Sequence, residues 1–188
     1  MSSENIEENK FNFKDFIKKN KLKIFFLLSA IFLIVIGLII FNDYKKKEII
    51  EISKSFNTAK INLQKGNKLQ AKRIFLSIID KNDSFYSPSA LNLIIENNLI
   101  KNENENEILL LYDKVIDNAG LDQETKNLFI FKKTLFIGDN ISEEQLLNNL
   151  NTIIQSNSIW GKTVKNYIYE YYISRKEFEK AKEFKSSK

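Results

Sequence analysis

Catalysis in this chain would have to rest on Asp, Glu and Lys, because neither His nor Cys occurs in its 188 residues. Without His the usual general base and the usual zinc ligand are missing, and so are the Ser-His and Cys-His nucleophile pairs. A glycosidase-like pair of carboxylates needs only Asp or Glu, but both must converge in one pocket. The 24 acidic residues instead fall among lysines in patterns of solvated helical surface. No catalytic residue, cofactor or metal ligand is therefore expected. The lack of Cys also excludes disulfides, so an oxidising compartment is permitted but not demanded. The formal charge is +5, yet residues 1–48 hold nine Lys against six acids, leaving twenty basic and eighteen acidic residues beyond. That near balance describes an ordinary mixed-charge surface, and no nucleic-acid partner is expected.

Any site must be positioned by the elements that follow from hydropathy. Residues 24–41, IFFLLSAIFLIVIGLIIF, run for eighteen positions without a charge. At 1.5 Å of rise per residue they extend roughly 27 Å, close to the hydrocarbon thickness of a bilayer. A buried core helix would show a polar stripe, whereas this one is apolar all round. A cleaved signal peptide is the other rival, but its apolar region is shorter and leads to small residues at a cleavage site. Here Phe41 is followed by Asn42, Asp43, Tyr44 and Lys45–Lys47, as expected of an anchor meeting the headgroups with Tyr44 at the interface. The expected organisation is a basic tail over 1–21, a transmembrane anchor over 22–43 in contact with membrane lipid, and a helical domain over 44–188.

Orientation depends on flanking lysines. Lys10, Lys14, Lys18, Lys19, Lys21 and Lys23 precede the span, while Lys45, Lys46, Lys47 and Lys54 follow it. The bias places the amino terminus inside and the carboxy-terminal domain outside. In a bacterium that is an inner-membrane protein with a cytoplasmic tail and a periplasmic domain. Phe11, Phe13, Phe16 and Ile17 among the tail lysines allow a short amphipathic segment on the inner surface, the alternative being a disordered tail.

Beyond the span the periodicity is helical throughout. Ala71, Ile74, Phe75, Ile78 and Ile79 make one stripe; Ile108, Leu111, Tyr112, Val115, Ile116 and Ala119 a second; and Val164, Tyr167, Ile168, Tyr171 and Tyr172 a third. No comparable stretch alternates with period two, so the expected fold class is all-α. Ser87 before Pro88 suggests an N-cap with a first-turn proline, Ser142 with Gln145 a capping box, and Asp122 a further cap. Gly120 and Gly138 stand where helices should stop. The spacing predicts eight helices, at about 44–65, 68–81, 88–101, 106–119, 123–137, 143–155, 158–174 and 177–185.

These helices pair with turns near Gly66–Asn67, Asn102–Asn106, Gly138–Asn140 and Arg175–Lys176, a repeat of roughly 36 residues that belongs to helical-hairpin solenoids. The first pair carries Ala59, Gly66, Ala71 and Phe75, with small residues for a close helix crossing and a large one for the hole left by the next hairpin. The last pair echoes it in Tyr172, Phe178, Ala181 and Phe184. These residues resemble the tetratricopeptide repeat, so a solenoid of about four hairpins is expected; the alternative is a nonrepetitive helical bundle. The whole layout resembles a family of bacterial proteins with a basic amino terminus, one span and degenerate tetratricopeptide-like hairpins. SFYSPSALNLIIENNLI at 84–100 looks like that family's second-hairpin entry, and SNSIWGKTVKNYIYEYYISRKEFEKA at 156–181 like its final hairpin. The family includes the ancillary single-span subunit of the Sec translocon. The resemblance implies contacts with translocon subunits, exported chains and periplasmic chaperones. This chain departs from the family in lacking Ala-rich packing.

A tetratricopeptide array works by presenting a curved recognition surface. Helix A positions Asn92, Asn97, Lys133, Asn166 and Glu170 are candidates for it, with ordinary solvated surface as the alternative. Trp160 with Tyr167, Tyr169, Tyr171 and Tyr172 makes either a peptide-binding patch or core. A protein–protein interaction module is therefore expected, against two alternatives: an envelope scaffold in cell division or outer-membrane assembly, and a carboxylate-dependent enzyme.

Overall fold

A computed structural model describes residues 18, 20–100 and 105–185, and among these every regular element is helical. The expected tail features at Phe11, Phe13, Phe16 and Ile17, and most of the turn expected at 102–106, lie outside the described residues. Eight α-helices follow in order: α1 (Lys21–Gln64), α2 (Lys68–Ile79), α3 (Tyr86–Glu96), α4 (Glu105–Asn118), α5 (Gln123–Ile137), α6 (Glu143–Gln155), α7 (Gly161–Ser174) and α8 (Phe178–Phe184), with one 3₁₀ turn at Gly138–Asn140. The chain divides into two units, one ending at Ile50 and the other running from Glu51.

In the first unit α1 carries the apolar run. From 25 to 41 every side chain except Ser29 is exposed. The helix is long and apolar enough to cross a membrane. The expected break between an anchor ending at 43 and a separate helix starting at 44 does not occur: α1 is one helix of 44 residues. The reason is local, since the polar residues after Phe41 include no Gly or Pro, and Asn, Asp and Lys cost only tenths of a kcal/mol inside a helix.

The second unit is built by sequential packing. Each helix from α2 to α7 packs on the next, and α2 also meets α4. Phe56 of α1 places its ring 5.7 Å from Phe75 of α2 and 5.5 Å from Tyr86 of α3. Ala59, Ala71, Phe75, Ala90, Leu91 and Ile94 are fully buried in one core cluster that extends to Tyr112 and Phe129. A second cluster gathers Phe131, Ile141, Leu146, Leu150, Ile153, Val164, Ile168, Tyr171, Tyr172 and Ala181. Ile130 of α5 packs against both. The stripes legible in the sequence thus become the buried faces, because residues three and four apart share one side of a helix.

What ends the helices is more regular than the sequence suggests. Every helix from α1 to α7 is followed by a residue of positive φ: Gly66, Asn82, Asn98, Gly120, Gly138, Asn157 and Lys176. After α1, α3 and α7 the surrounding hydrogen bonds form the same Schellman pattern. The amide of Asn67 donates to the Asn62 carbonyl (2.8 Å), that of Leu99 to Ile94 (3.0 Å) and that of Glu177 to Tyr172 (2.9 Å). Gly66 occupies its left-handed position without penalty, and Asn tolerates the same region. Lys176, at φ 62°, does not. Its side chain is exposed, so Lys176→Gly should remove that strain and stabilise the domain by about 1 kcal/mol, read as a higher thermal midpoint; an unchanged or lower midpoint would contradict the assigned backbone.

Two of the predicted caps hold and one is corrected. The Asp122 carboxylate accepts from the amides of Glu124 and Thr125, and Ser142 with Gln145 forms a reciprocal capping box. Ser87 is not an N-cap. Helix α3 already begins at Tyr86, and the Asp83 carboxylate takes the amides of Phe85 and Tyr86 at 2.9 and 2.7 Å. Ser87, fully buried, donates instead to the Ile78 carbonyl at 3.1 Å, stitching α3 to the end of α2.

Candidate functional site

The residues singled out for repeat packing divide into core and surface. Ala59, Ala71, Phe75, Tyr172 and Ala181 are buried, and Gly66 makes the turn after α1. Phe178 is 56% exposed, and it is Phe184 that stacks on Tyr172, with ring centroids 5.8 Å apart. A helix as short as α8 covers its neighbour with one face only, and Ala181 and Phe184 occupy that face.

The aromatic cluster of α7 is mostly core. Tyr171 and Tyr172 are buried, and Tyr167 packs its ring edge-on to Phe131 at 5.6 Å. Trp160, half-buried, donates through Nε1 to the Glu124 carbonyl at 3.1 Å, and Ser158 donates to the Glu124 carboxylate at 2.6 Å, so the entry to α7 is fastened to the start of α5. Near the carboxy terminus the Glu143 carboxylate accepts from Lys180 at 2.8 Å and from the Tyr172 hydroxyl at 3.0 Å. The Lys180 hydrogen bond, then that of Tyr172, holds Glu143 below the usual carboxylate range. Burial, reinforced by Glu143, pushes the Tyr172 hydroxyl up to about 12. This arrangement ties α6, α7 and α8 together. It offers no proton donor or base poised near neutrality, since both partners move away from it.

The described residues of the helical domain form, among others, two clefts. One, of about 320 Å³, lies between α3, α4 and α5 and is lined by Asn92, Ile95, Glu96, Tyr112, Lys132, Leu135 and Phe136. Here Lys132 donates to the Asn92 side chain at 2.9 Å and lies 5.3 Å above the Phe129 ring. Burial pushes the Tyr112 hydroxyl up to about 12. Of the groove candidates on α3 and α5, Asn92 therefore lines this cleft while Lys133 does not. Lys133 points to the other side of α5, where it pairs with Asp113. Asn97 caps the end of α3, donating to the Leu93 carbonyl while its own carbonyl accepts from Lys68. Asn166 and Glu170 are exposed on α7.

The second cleft, of about 450 Å³, lies between α4, α5 and α6 and is lined largely by polar side chains, among them Gln123, Lys126, Asn127, Lys133, Asn148 and Asn149. Asn127 is fully buried at its floor. Its Oδ1 accepts from Gln123 Nε2 at 2.9 Å, but its Nδ2 has no hydrogen-bond partner. A buried donor left unmade costs about 1–3 kcal/mol, and this is the one side-chain N or O among the described residues with neither accessible surface nor a hydrogen-bond partner. Sequence reasoning missed it because the segment Gln123–Asn127 contains only polar residues, which on their own read as solvated surface; α4 and α6 bury Asn127 from outside the segment. No group of three or more Asp or Glu side chains among the described residues is placed to hold a metal ion. Comparison with known proteins supplies no family for this geometry: the chain matches no protein-family model, no curated protein and no solved structure.

Proposed function

We propose that the chain is a membrane-anchored protein–protein interaction module. The apolar part of α1 holds it in a bacterial inner membrane with the tail in the cytoplasm and the helical domain in the periplasm, and the stacked hairpins act as a tetratricopeptide-like recognition surface. In its most specific form, which rests on the family resemblance of 84–100 and 156–181, it is an ancillary factor at the Sec translocon that links exported chains to periplasmic folding factors. The observation that carries the reading is the recurrence of helix ends. Asn82, Gly120 and Asn157 close alternate helices at intervals of roughly 37 residues, and each helix from α2 to α7 packs on the next in chain order, with α2 also meeting α4 past the intervening α3. Repeats of that kind bury a continuous core and leave broad polar faces for partners.

Purification of the native protein from its own membrane in mild detergent tests this. Translocon subunits or periplasmic chaperones are expected among the chains that copurify in stoichiometric amounts. Division or outer-membrane assembly proteins would move the function to an envelope scaffold, and the absence of any stoichiometric partner would reject the interaction module.

A further inference from the structure

We propose that the cleft between α3, α4 and α5 binds the phenol side chain of a tyrosine carried by a partner peptide. The assignment of that phenol to a peptide rests on the interaction-module reading. Tyr112 of α4 lines this cleft and is only 4% exposed, whereas the other lining residues are partly or fully exposed. Its ring is held between Phe129 and Phe136, with centroids 6.3 and 6.1 Å away, but its hydroxyl makes no hydrogen bond to a described residue. That hydroxyl is nevertheless reachable, because Asn127 Nδ2 alone among the described side-chain N and O atoms lacks both a partner and accessible surface. Burial, with no hydrogen bond to offset it, pushes the Tyr112 hydroxyl up to about 12. It therefore keeps its proton near neutrality and can donate as well as accept. The walls around it are apolar. Ile95 and Phe136 are partly exposed and Leu135 is 44% exposed, so beside about 320 Å³ of open cleft they leave hydrocarbon in water that a ring would cover. The mouth sets the charge. Lys132 donates to the uncharged Asn92 side chain and Glu96 is exposed, and neither forms an ion pair with a described residue. With one cation and one anion, a charged ligand gains from one and is repelled by the other. The ligand that matches is flat and apolar, carries no charge, and ends in an oxygen that can both give and take a hydrogen bond. A phenol has all three properties. An aliphatic side chain would seal the Tyr112 hydroxyl from water without a partner, which costs an unmade hydrogen bond. An indole could only donate, and a carboxylate would meet Glu96.

Full-length, methyl-labelled protein in phosphatidylcholine nanodiscs tests this by titration with acetyl-Gly-Tyr-Gly-amide, with acetyl-Gly-Phe-Gly-amide, which lacks only the hydroxyl, and with acetyl-Gly-Ala-Gly-amide, which lacks the ring. Saturable movement of the Ile95 and Leu135 methyl resonances is expected with the tyrosine peptide. The phenylalanine peptide should bind roughly tenfold more weakly, and the alanine peptide should leave the methyls unmoved. Tyr112→Phe removes a hydroxyl that bonds to nothing described in the protein and keeps the ring packed, so the variant should melt at or above the native midpoint. In that variant the tyrosine and phenylalanine peptides should bind alike, an outcome that a purely structural role for Tyr112 does not produce. The inference is overturned if the tyrosine peptide moves neither methyl, if the alanine peptide binds as well, if the native chain binds the two aromatic peptides equally, or if the preference survives in Tyr112→Phe. The comparison of the two aromatic peptides on the native chain decides the matter even where the variant fails to fold. Failure here is distinct from failure of the interaction module. A partner that still copurifies while no tyrosine peptide binds removes only the cleft, whereas a bound tyrosine peptide without any copurifying partner removes only the module.

Discussion

Ala71→Trp should unfold most of the helical domain at temperatures the native protein survives. Ala71 is fully buried on α2, in the same cluster as Ala59, Phe75, Ala90 and Leu91, all of which are also fully buried. An indole introduced there has no solvent path and must displace α1 or α3, and overpacking of that kind costs about 1–3 kcal/mol, or more when backbones have to part. Against a total stability on the order of 5–15 kcal/mol the loss is large, and the expected fall in thermal midpoint is about 3–15 °C. Leu69→Trp is the matched control. Leu69 lies on the same helix but is 66% exposed, so the same side chain should leave the midpoint nearly unchanged. Circular dichroism of both full-length variants in detergent reads the difference. Equal midpoints would mean that α2 does not present Ala71 to its neighbours, and the hairpin packing of α1 with α2 would have to be redrawn.

The contrast between those two positions also marks what was legible in the sequence. Ala71, Phe75 and Ile78 share one face at helical spacing, and that face is the buried one. Asp122 and the Ser142–Gln145 pair were readable because capping depends on a side chain meeting amides two or three residues away. The helix ends were only half readable. Gly66, Gly120 and Gly138 announce a positive φ, but Asn82, Asn98, Asn157 and Lys176 do the same work, and nothing local separates these from the many other Asn and Lys residues of the chain. Helix α3 accordingly ends at Glu96 and not near 101, because the Schellman closure at Asn98 precedes the polar run that looked like the turn. Ser87 and Asn127 were illegible for a different reason. Both are fully buried polar residues whose burial comes from helices distant in sequence, so their partners or lack of them could not be inferred from spacing. The cleft over Asn127 is therefore a product of packing alone.

Leu33→Asp combined with Ile36→Asp should release the protein from the membrane fraction altogether. Residues 25–41 contain fourteen Leu, Ile, Phe or Val side chains, all of them exposed on α1. On an insertion scale each contributes about 0.3–0.6 kcal/mol, or about 4–8 kcal/mol for the run. Two carboxylates near its centre would each cost about 2.5–3.5 kcal/mol and remove two of the favourable residues, bringing the balance to zero or beyond. Lysine would be a poorer test because its long stem can reach the headgroups. After alkaline carbonate extraction the native chain should remain with the membrane uncleaved, and the double variant should appear in the supernatant or be degraded. A native product shortened from its amino terminus and recovered in the soluble fraction would instead identify the apolar run as a cleaved signal. With anchoring established, protease added outside spheroplasts should digest the domain beyond Tyr44 and spare the lysine-rich tail, as the excess of lysines before the span requires. Protection of the domain would place it in the cytoplasm. A periplasmic partner would then be unreachable, and the Sec-linked reading would fall even if the helical domain proved to be a recognition surface.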